Sequence, residues 1–287
     1  MKKITIIGIL LITLLTGCVN QNQKVQSEEE RIVTTSVAIA EILDALEVEN
    51  VVGVPESETY TLPSRYEKVK TVGAPMNPDM EVISTLDVSL ILSPNSLEGD
   101  LATKYENAKI DCGFVNLKST VGMFKSIEEL GTLLNKEKQA NALVAEFKTY
   151  MEEYQNKHEG KQAPTVLILM GLPGSYVVAT ENSYVGSLVK LAGAQNVYGD
   201  ENSEDFLNVN PEDMLEKNPD IILRTSHALP EQVEEMFAKE FAENDTWQHF
   251  EAVKNEKVYD LDYNKFGMSA NFKYQEALID LEGIFYP

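Results

Sequence analysis

Residues 123–159 contain no proline, and Phe124, Ile127, Leu130, Leu133, Leu134, Ala140, Leu143, Val144, Phe147, Tyr150, Met151 and Tyr154 recur along them mostly at three- and four-residue intervals. Charged residues fill the opposite face, so the spacing predicts one amphipathic linking helix over 119–160, able to span ~50 Å. The rest of the chain must be organised around it. On the N-terminal side, Ile32-Val33-Thr34-Thr35-Ser36 is a β-branched run ending in a helix-cap candidate. Val37, Ile39, Ile42, Leu43 and Leu46 then follow at helical spacing, and Val51-Val52-Gly53-Val54 reads as a second strand, which makes a parallel βαβ unit. Asn77-Pro78-Asp79 opens a helix carrying Val82, Ile83 and Leu86, and residues 88–92 form a buried strand. The C-terminal side repeats this order: residues 188–199 can be laid over 42–53, and Asn210-Pro211-Glu212 followed by Asp220-Ile221-Ile222-Leu223 mirrors 77–92. The expected fold class is therefore α/β, with two similar lobes (31–118 and 161–287) built on central parallel sheets. One long helix joins them, and a ligand cleft lies between them.

The N-terminus sets the compartment. Met1-Lys2-Lys3 precedes a mostly apolar run over residues 4–15 that is shorter than the ~20 residues of a membrane span, followed by Leu15-Thr16-Gly17-Cys18. This is a signal peptide (1–17), and its last four residues resemble the bacterial lipobox, which implies that Cys18 is acylated and becomes the mature N-terminus. Polar residues 18–30 read as a tether from the membrane. Cys112 then has no intramolecular partner and is expected to be a small buried strand residue.

Charge excludes other functions. Lys plus Arg number 24 against 46 Asp plus Glu, a formal charge of −22, and nucleic-acid binding rests on the opposite sign. A 43% hydrophobic content excludes an acidic disordered chain. No nucleophile elbow, phosphate loop, HExxH, paired-cysteine motif or dinucleotide fingerprint is present, so no enzymatic activity is expected. A bare transition metal needs several converging imidazoles and carboxylates. Of the three histidines, His158 at a polar helix end reads as solvated, and His249 as a surface or half-buried helical residue.

His227 differs, because it lies just past the strand at 220–223 and before a helix beginning near Glu231, where ligands bind beyond the carboxyl ends of strands in open α/β sheets. The alternative is a loop histidine capping that helix. Met76, in Gly73-Ala74-Pro75-Met76-Asn77-Pro78, is a large apolar side chain in a turn. Its alternative is a hydrophobic staple onto the following helix. Together, a cleft Met and a cleft His can ligate haem iron from opposite faces.

Several segments carry a wider likeness: Arg31-Ile32-Val33, Thr61-Leu62-Pro63-Ser64-Arg65-Tyr66, Gly73-Ala74-Pro75-Met76, residues 166–180, Asn218-Pro219-Asp220-Ile221-Ile222-Leu223-Arg224 and Phe266-Gly267. The chain from Arg31 onward resembles the haem-receptor lipoproteins of Gram-positive iron-regulated surface determinant systems, which are helix-linked substrate-binding proteins of ATP-driven importers. The resemblance implies haem as transported ligand, with Met76 and His227 as its axial ligands; Met268, in Phe266-Gly267-Met268-Ser269-Ala270, is a reserve candidate. Propionates are expected at the N-terminus of the helix opening at Thr35-Ser36-Val37-Ala38, where backbone N–H groups are free. Tyr60 offers a stacking face or hydroxyl, or alternatively packs. Arg65 and Arg224 either assist the propionates or form structural salt bridges. The likeness further implies docking of Glu81 and Glu212 onto a basic permease face, cell-wall haem donors as partners, and a monomer on the outer face of a Gram-positive cytoplasmic membrane. Two alternatives remain at this stage: the same fold binding a ferric siderophore or other iron complex, and an exported α/β enzyme with His227 as general base.

Overall fold

The computed structural model describes residues 30–57, 60–199 and 204–287. The signal peptide, Cys18 and nearly all of the tether lie outside the described residues.

The first lobe runs β1 (Ile32–Thr34), α1 (Val37–Ala45), β2 (Val51–Val54), β3 (Lys70–Thr71), a small hairpin of β4 (Gly73–Ala74) and β5 (Asn77–Pro78), α2 (Met80–Ser84), β6 (Leu90–Pro94), α3 (Glu98–Ala108) and β7 (Asp111–Val115). Its sheet has the order β3-β2-β1-β6-β7, and every pair in it is parallel. Strands covered by helices on both faces must be apolar throughout, which is why Ile32, Val33, Ile91 and Leu92 are all buried. Cys112 sits half-buried in β7. Burial raises its thiol above the ordinary value, and Glu106, Asp111 and Glu98 add to the effect.

The second lobe contains β8 (Thr165–Leu172), β9 (Ser175–Ala179), α6 (Tyr184–Leu191), β10 (Gln195–Asn196), β11 (Phe206–Leu207), α7 (Pro211–Lys217), β12 (Ile221–Ser226), α8 (Pro230–Glu243), α9 (Glu251–Lys254), β13 (Val258–Asp260) and α10 (Tyr274–Phe285). The expected internal likeness is present in the topology. β10 lies parallel on one side of β8 as β2 does on β1, and β12 and β13 extend the other side as β6 and β7 do. The second lobe adds the antiparallel strands β9 and β11.

The single linking helix expected over 119–160 is two helices: α4 (Thr120–Leu133) and α5 (Glu137–His158). The stop is Asn135 at φ +56°, with the Lys136 N–H bonded to Gly131 O at 2.7 Å and the Asn135 N–H to Thr132 O at 3.5 Å. That is the left-handed C-terminal turn that Asn tolerates almost as well as Gly. Apolar periodicity continues through the turn because both helices bury the same face. They fold back on each other, with Phe124 stacked on Phe147 at 4.3 Å and Tyr274 of α10 edge-on to both rings. The 22 residues of α5 span about 33 Å and carry the chain into the second lobe.

His158 is not a solvated helix-end residue. It is buried, its Nδ1–H donates to Tyr154 O at 2.7 Å, and it stacks on Tyr286. The polar sequence around it gives no sign of Tyr286, which the C-terminal end of α10 brings from 128 positions away.

A Cβ added at Gly131 would stand 2.4 Å from Ala140 Cβ. Gly131→Ala is expected to overpack the α4–α5 turn and lower unfolding stability by about 1–3 kcal/mol, checked by urea denaturation of the ligand-free protein.

Candidate functional site

In each sheet the chain leaves one central strand in opposite directions. In the first lobe, β1 connects to β2 on one side while β6 and β7 occupy the other. In the second, β8 is flanked by β10 and β9 on one side and β12 on the other. A crevice opens beyond the carboxyl ends at such a switch point, which in an open α/β sheet is where ligands bind. Thr35 and Ser36 follow β1 at the first crevice, and His227 follows β12 at the second.

The carboxyl edges face each other. Lys118, just past β7, pairs with Asp205 at 2.8 Å. The Ala270 N–H donates to Leu117 O at 2.8 Å. Tyr60, from the β2–β3 loop, lies 5.5 Å from Tyr263, just past β13. Tyr60 is therefore a packing contact across the lobes, and its hydroxyl stands where a Cβ on Gly267 would fall, at 2.7 Å. Burial, then Tyr263, Asp262 and Glu41, push its phenol up to about 12. Met268 lies in this seam beside Lys118 and Asp205.

Met76 occupies the tip of the β4–β5 hairpin. Gly73 at φ +85° and Pro75 shape a two-residue turn between paired Ala74 and Asn77. The base is pinned by Glu56 N–H to Gly73 O at 2.9 Å and Asp79 N–H to Val72 O at 2.8 Å. Met76 itself is 66% exposed, so it is not a staple onto α2. The fold instead holds a soft thioether in solvent on a short rigid support.

His227 is exposed on the opposite lobe, held by its backbone N–H to Gly171 O at 2.9 Å across the β8–β12 crevice. It does not cap α8, which begins at Pro230 with Leu229 as N-cap and no side-chain cap. Desolvation by the surrounding protein lowers its imidazole below the ordinary value, favouring the neutral ring that a metal requires. Beside it lies a cavity of about 430 Å³, walled by Val233 and Phe237 of α8 and by Leu261 and Tyr263.

Ser36 is the N-cap of α1 but makes no side-chain cap, and the first turn of α1 holds no acidic residue. Every other described α-helix has one or the other. Asp79, Ser119, Ser183 and Asn210 side chains cap α2, α4, α6 and α7, and α3, α5, α8, α9 and α10 carry Glu or Asp in the first turn. In a chain this acidic, α1 alone leaves its positive end unanswered, which suits an external anion.

The arginines take their structural alternative. Arg65 pairs with Asp44 at 3.2 Å, and Arg224 grips Asp260 through Nε at 2.7 Å and a second bond at 2.5 Å, with Phe241 over its guanidinium. Glu81 and Glu212 are both exposed and hold the same place, the second residue of α2 and of α7. The repeated Asn-Pro is not equivalent, since Asn77-Pro78 is a strand whereas Asn210 caps α7. The seam contacts of Lys118, Asp205, Tyr263 and Gly267 are not legible in the sequence, because each partner comes from the opposite lobe.

Two α/β lobes with facing carboxyl edges and polar groups at both switch points define a two-lobed substrate-binding protein. The chain matches the periplasmic binding protein family over residues 32–264 and belongs to it. It is 40% identical over 295 aligned residues to the high-affinity heme uptake system protein IsdE of Staphylococcus aureus, covering 99% of this chain and 97% of that one. Among solved structures, it is similar to an ABC transporter substrate-binding protein from Listeria monocytogenes EGD-e (TM-score 0.85, 43% identity, covering 90% of this chain and 99% of that one). It is also similar to S. aureus IsdE complexed with heme (TM-score 0.84, 42% identity, 90% and 100% covered). These relatives are substrate-binding transport proteins and not enzymes.

In the ligand-free protein, the His227 ring is expected to titrate with a midpoint below the ordinary 6.5. A midpoint at or above that value by NMR would show that the protein does not desolvate the ring.

Proposed function

We propose that this protein binds haem between its lobes and delivers it to an ABC importer for iron acquisition. The observation that carries the reading is Met76, a large thioether left 66% exposed at the tip of a pinned hairpin. It belongs to a chain whose structure matches IsdE complexed with heme over 90% of its length. Met76 and His227 are the axial ligands, one from each lobe, so iron coordination itself links the lobes. A neutral imidazole and a thioether add no charge to the iron and favour its reduced state. The haem propionates sit at the N-terminus of α1, where the backbone N–H groups of Val37 and Ala38 stand free of any cap. An anion there gains about 0.3–2 kcal/mol, depending on burial. Arg224 and Arg65 do not take part, since each already has a carboxylate.

The protein is tethered by lipid on Cys18 to the outer face of a Gram-positive cytoplasmic membrane, and it works there as a monomer. Haem arrives from cell-wall donor proteins. Glu81 and Glu212, one per lobe and alike in helical position, dock on basic residues of the permease, an attraction that weakens with salt.

Haemin added to the purified protein is expected to give a low-spin Soret and visible spectrum. His227→Ala and Met76→Ala should each shift that spectrum and raise the haem off-rate by at least tenfold. Unchanged spectra and off-rates in both variants would remove the pair as axial ligands. The sign of the pH effect follows from the lowered imidazole: protonation competes with iron, so haem loss should accelerate as pH falls through a midpoint below 6.5. Stopped-flow transfer to apomyoglobin reads this, and the acid limb should vanish in His227→Ala.

A further inference from the structure

Behind the uncapped N-terminus of α1 lies a cluster of three buried hydroxyls. Thr35 Oγ1 is 2.8 Å from Ser93 Oγ, and Ser93 Oγ is 2.9 Å from the Tyr105 hydroxyl. All three side chains are buried, at 0–1% exposure. Burial raises the Tyr105 phenol, and hydrogen bonds to Ser93 and Thr35 offset part of that effect. Each oxygen has one proton and free acceptor sites, so the two hydrogen bonds link the three groups in a chain with Ser93 at its centre. They come from three elements: Thr35 from the turn between β1 and α1, Ser93 from β6, and Tyr105 from α3.

The cluster sits at the first-lobe switch point, where β1 and β6 part. The Thr35 N–H also donates to Leu92 O at 3.0 Å, and the Thr34 hydroxyl bridges to the Ser36 backbone, accepting from its N–H and donating to its carbonyl, each at 3.2 Å. Together these bonds fix the residue before the N-cap from both its backbone and its side chain. The direction of the first α1 N–H groups is set by that residue, because Ser36 supplies no side-chain cap of its own.

We propose that Ser93 and Tyr105 are positioning residues for the anionic edge of the ligand: through Thr35 they hold the uncapped N-terminus of α1 in the orientation that receives carboxylates. The proposal rests on the haem reading above. It adds that affinity for the propionates, separately from iron ligation, depends on a buried hydroxyl network roughly one helix layer behind them. Preorganised N–H donors bind an anion without reorganising at the moment of contact, and a loosened turn loses that advantage.

The experiment compares haemin with its dimethyl ester, which keeps the iron and porphyrin but lacks both carboxylates, on the unmutated protein and on Tyr105→Phe and Ser93→Ala. Each variant is expected to raise the off-rate for haemin by roughly three- to tenfold, the scale of one hydrogen bond, while leaving that for the ester within about twofold. The low-spin spectrum set by the axial pair should be retained. Equal losses for both ligands would mean that the network acts only on general stability, and unchanged haemin off-rates would mean that it does not act on the site; either result overturns the proposal. Thermal unfolding of the ligand-free variants, run alongside, identifies any that fail to fold, and the milder Tyr105→Phe then decides alone. Failure of the unmutated protein to take either ligand would instead overturn the haem reading itself.

Discussion

Parallel pairing of β1 with β6 and of β8 with β12 is the constraint from which the site follows. A parallel strand needs a crossover, and a crossover helix begins at the carboxyl end of the strand it leaves. Two central strands whose neighbours are reached in opposite directions therefore leave two crevices, with α1 opening at one and the His227 loop spanning the other through its bond to Gly171. The seam contacts, Lys118 to Asp205 and Tyr60 to Tyr263, turn these crevices toward each other. Neither lobe alone carries both halves of the site.

The acidity of the chain, with 46 Asp and Glu, poses a problem for a ligand carrying carboxylates. The proposed answer is backbone rather than cations: Arg65 and Arg224 are already paired, and α1, to which the anion is assigned, is the one described α-helix with neither a side-chain cap nor a first-turn acid. Peptide dipoles do not titrate and are held by the sheet, so the exterior can stay strongly acidic while the cleft stays receptive.

Much of the architecture is legible in the amino-acid sequence. β-branched runs, helical spacing and their repetition across 42–53 and 188–199 give two α/β lobes because buried parallel strands and amphipathic helices leave unmistakable periodicities. The placement of Met76 and His227 follows from the sequence too, since one is a large apolar group in a turn and the other an imidazole past a strand end. The break between α4 and α5 is not legible, although Asn135 makes it, since one Asn is a weak signal against a continuous apolar stripe. His158 was misread because its neighbours in sequence are polar while its neighbours in space are Tyr154 and Tyr286.

The sequence by itself determined the periodic elements, the lobe count and the two candidate ligands, since each depends on residues within one or two turns of the chain. Only the tertiary structure decided that the carboxyl edges oppose, that among the described α-helices α1 alone has an unanswered positive end, that Arg224 belongs to Asp260, and that Thr35, Ser93 and Tyr105 meet. Those facts join residues up to tens of positions apart or on different lobes. Local pattern has no information about which buried hydroxyl or carboxylate another element will bring beside it.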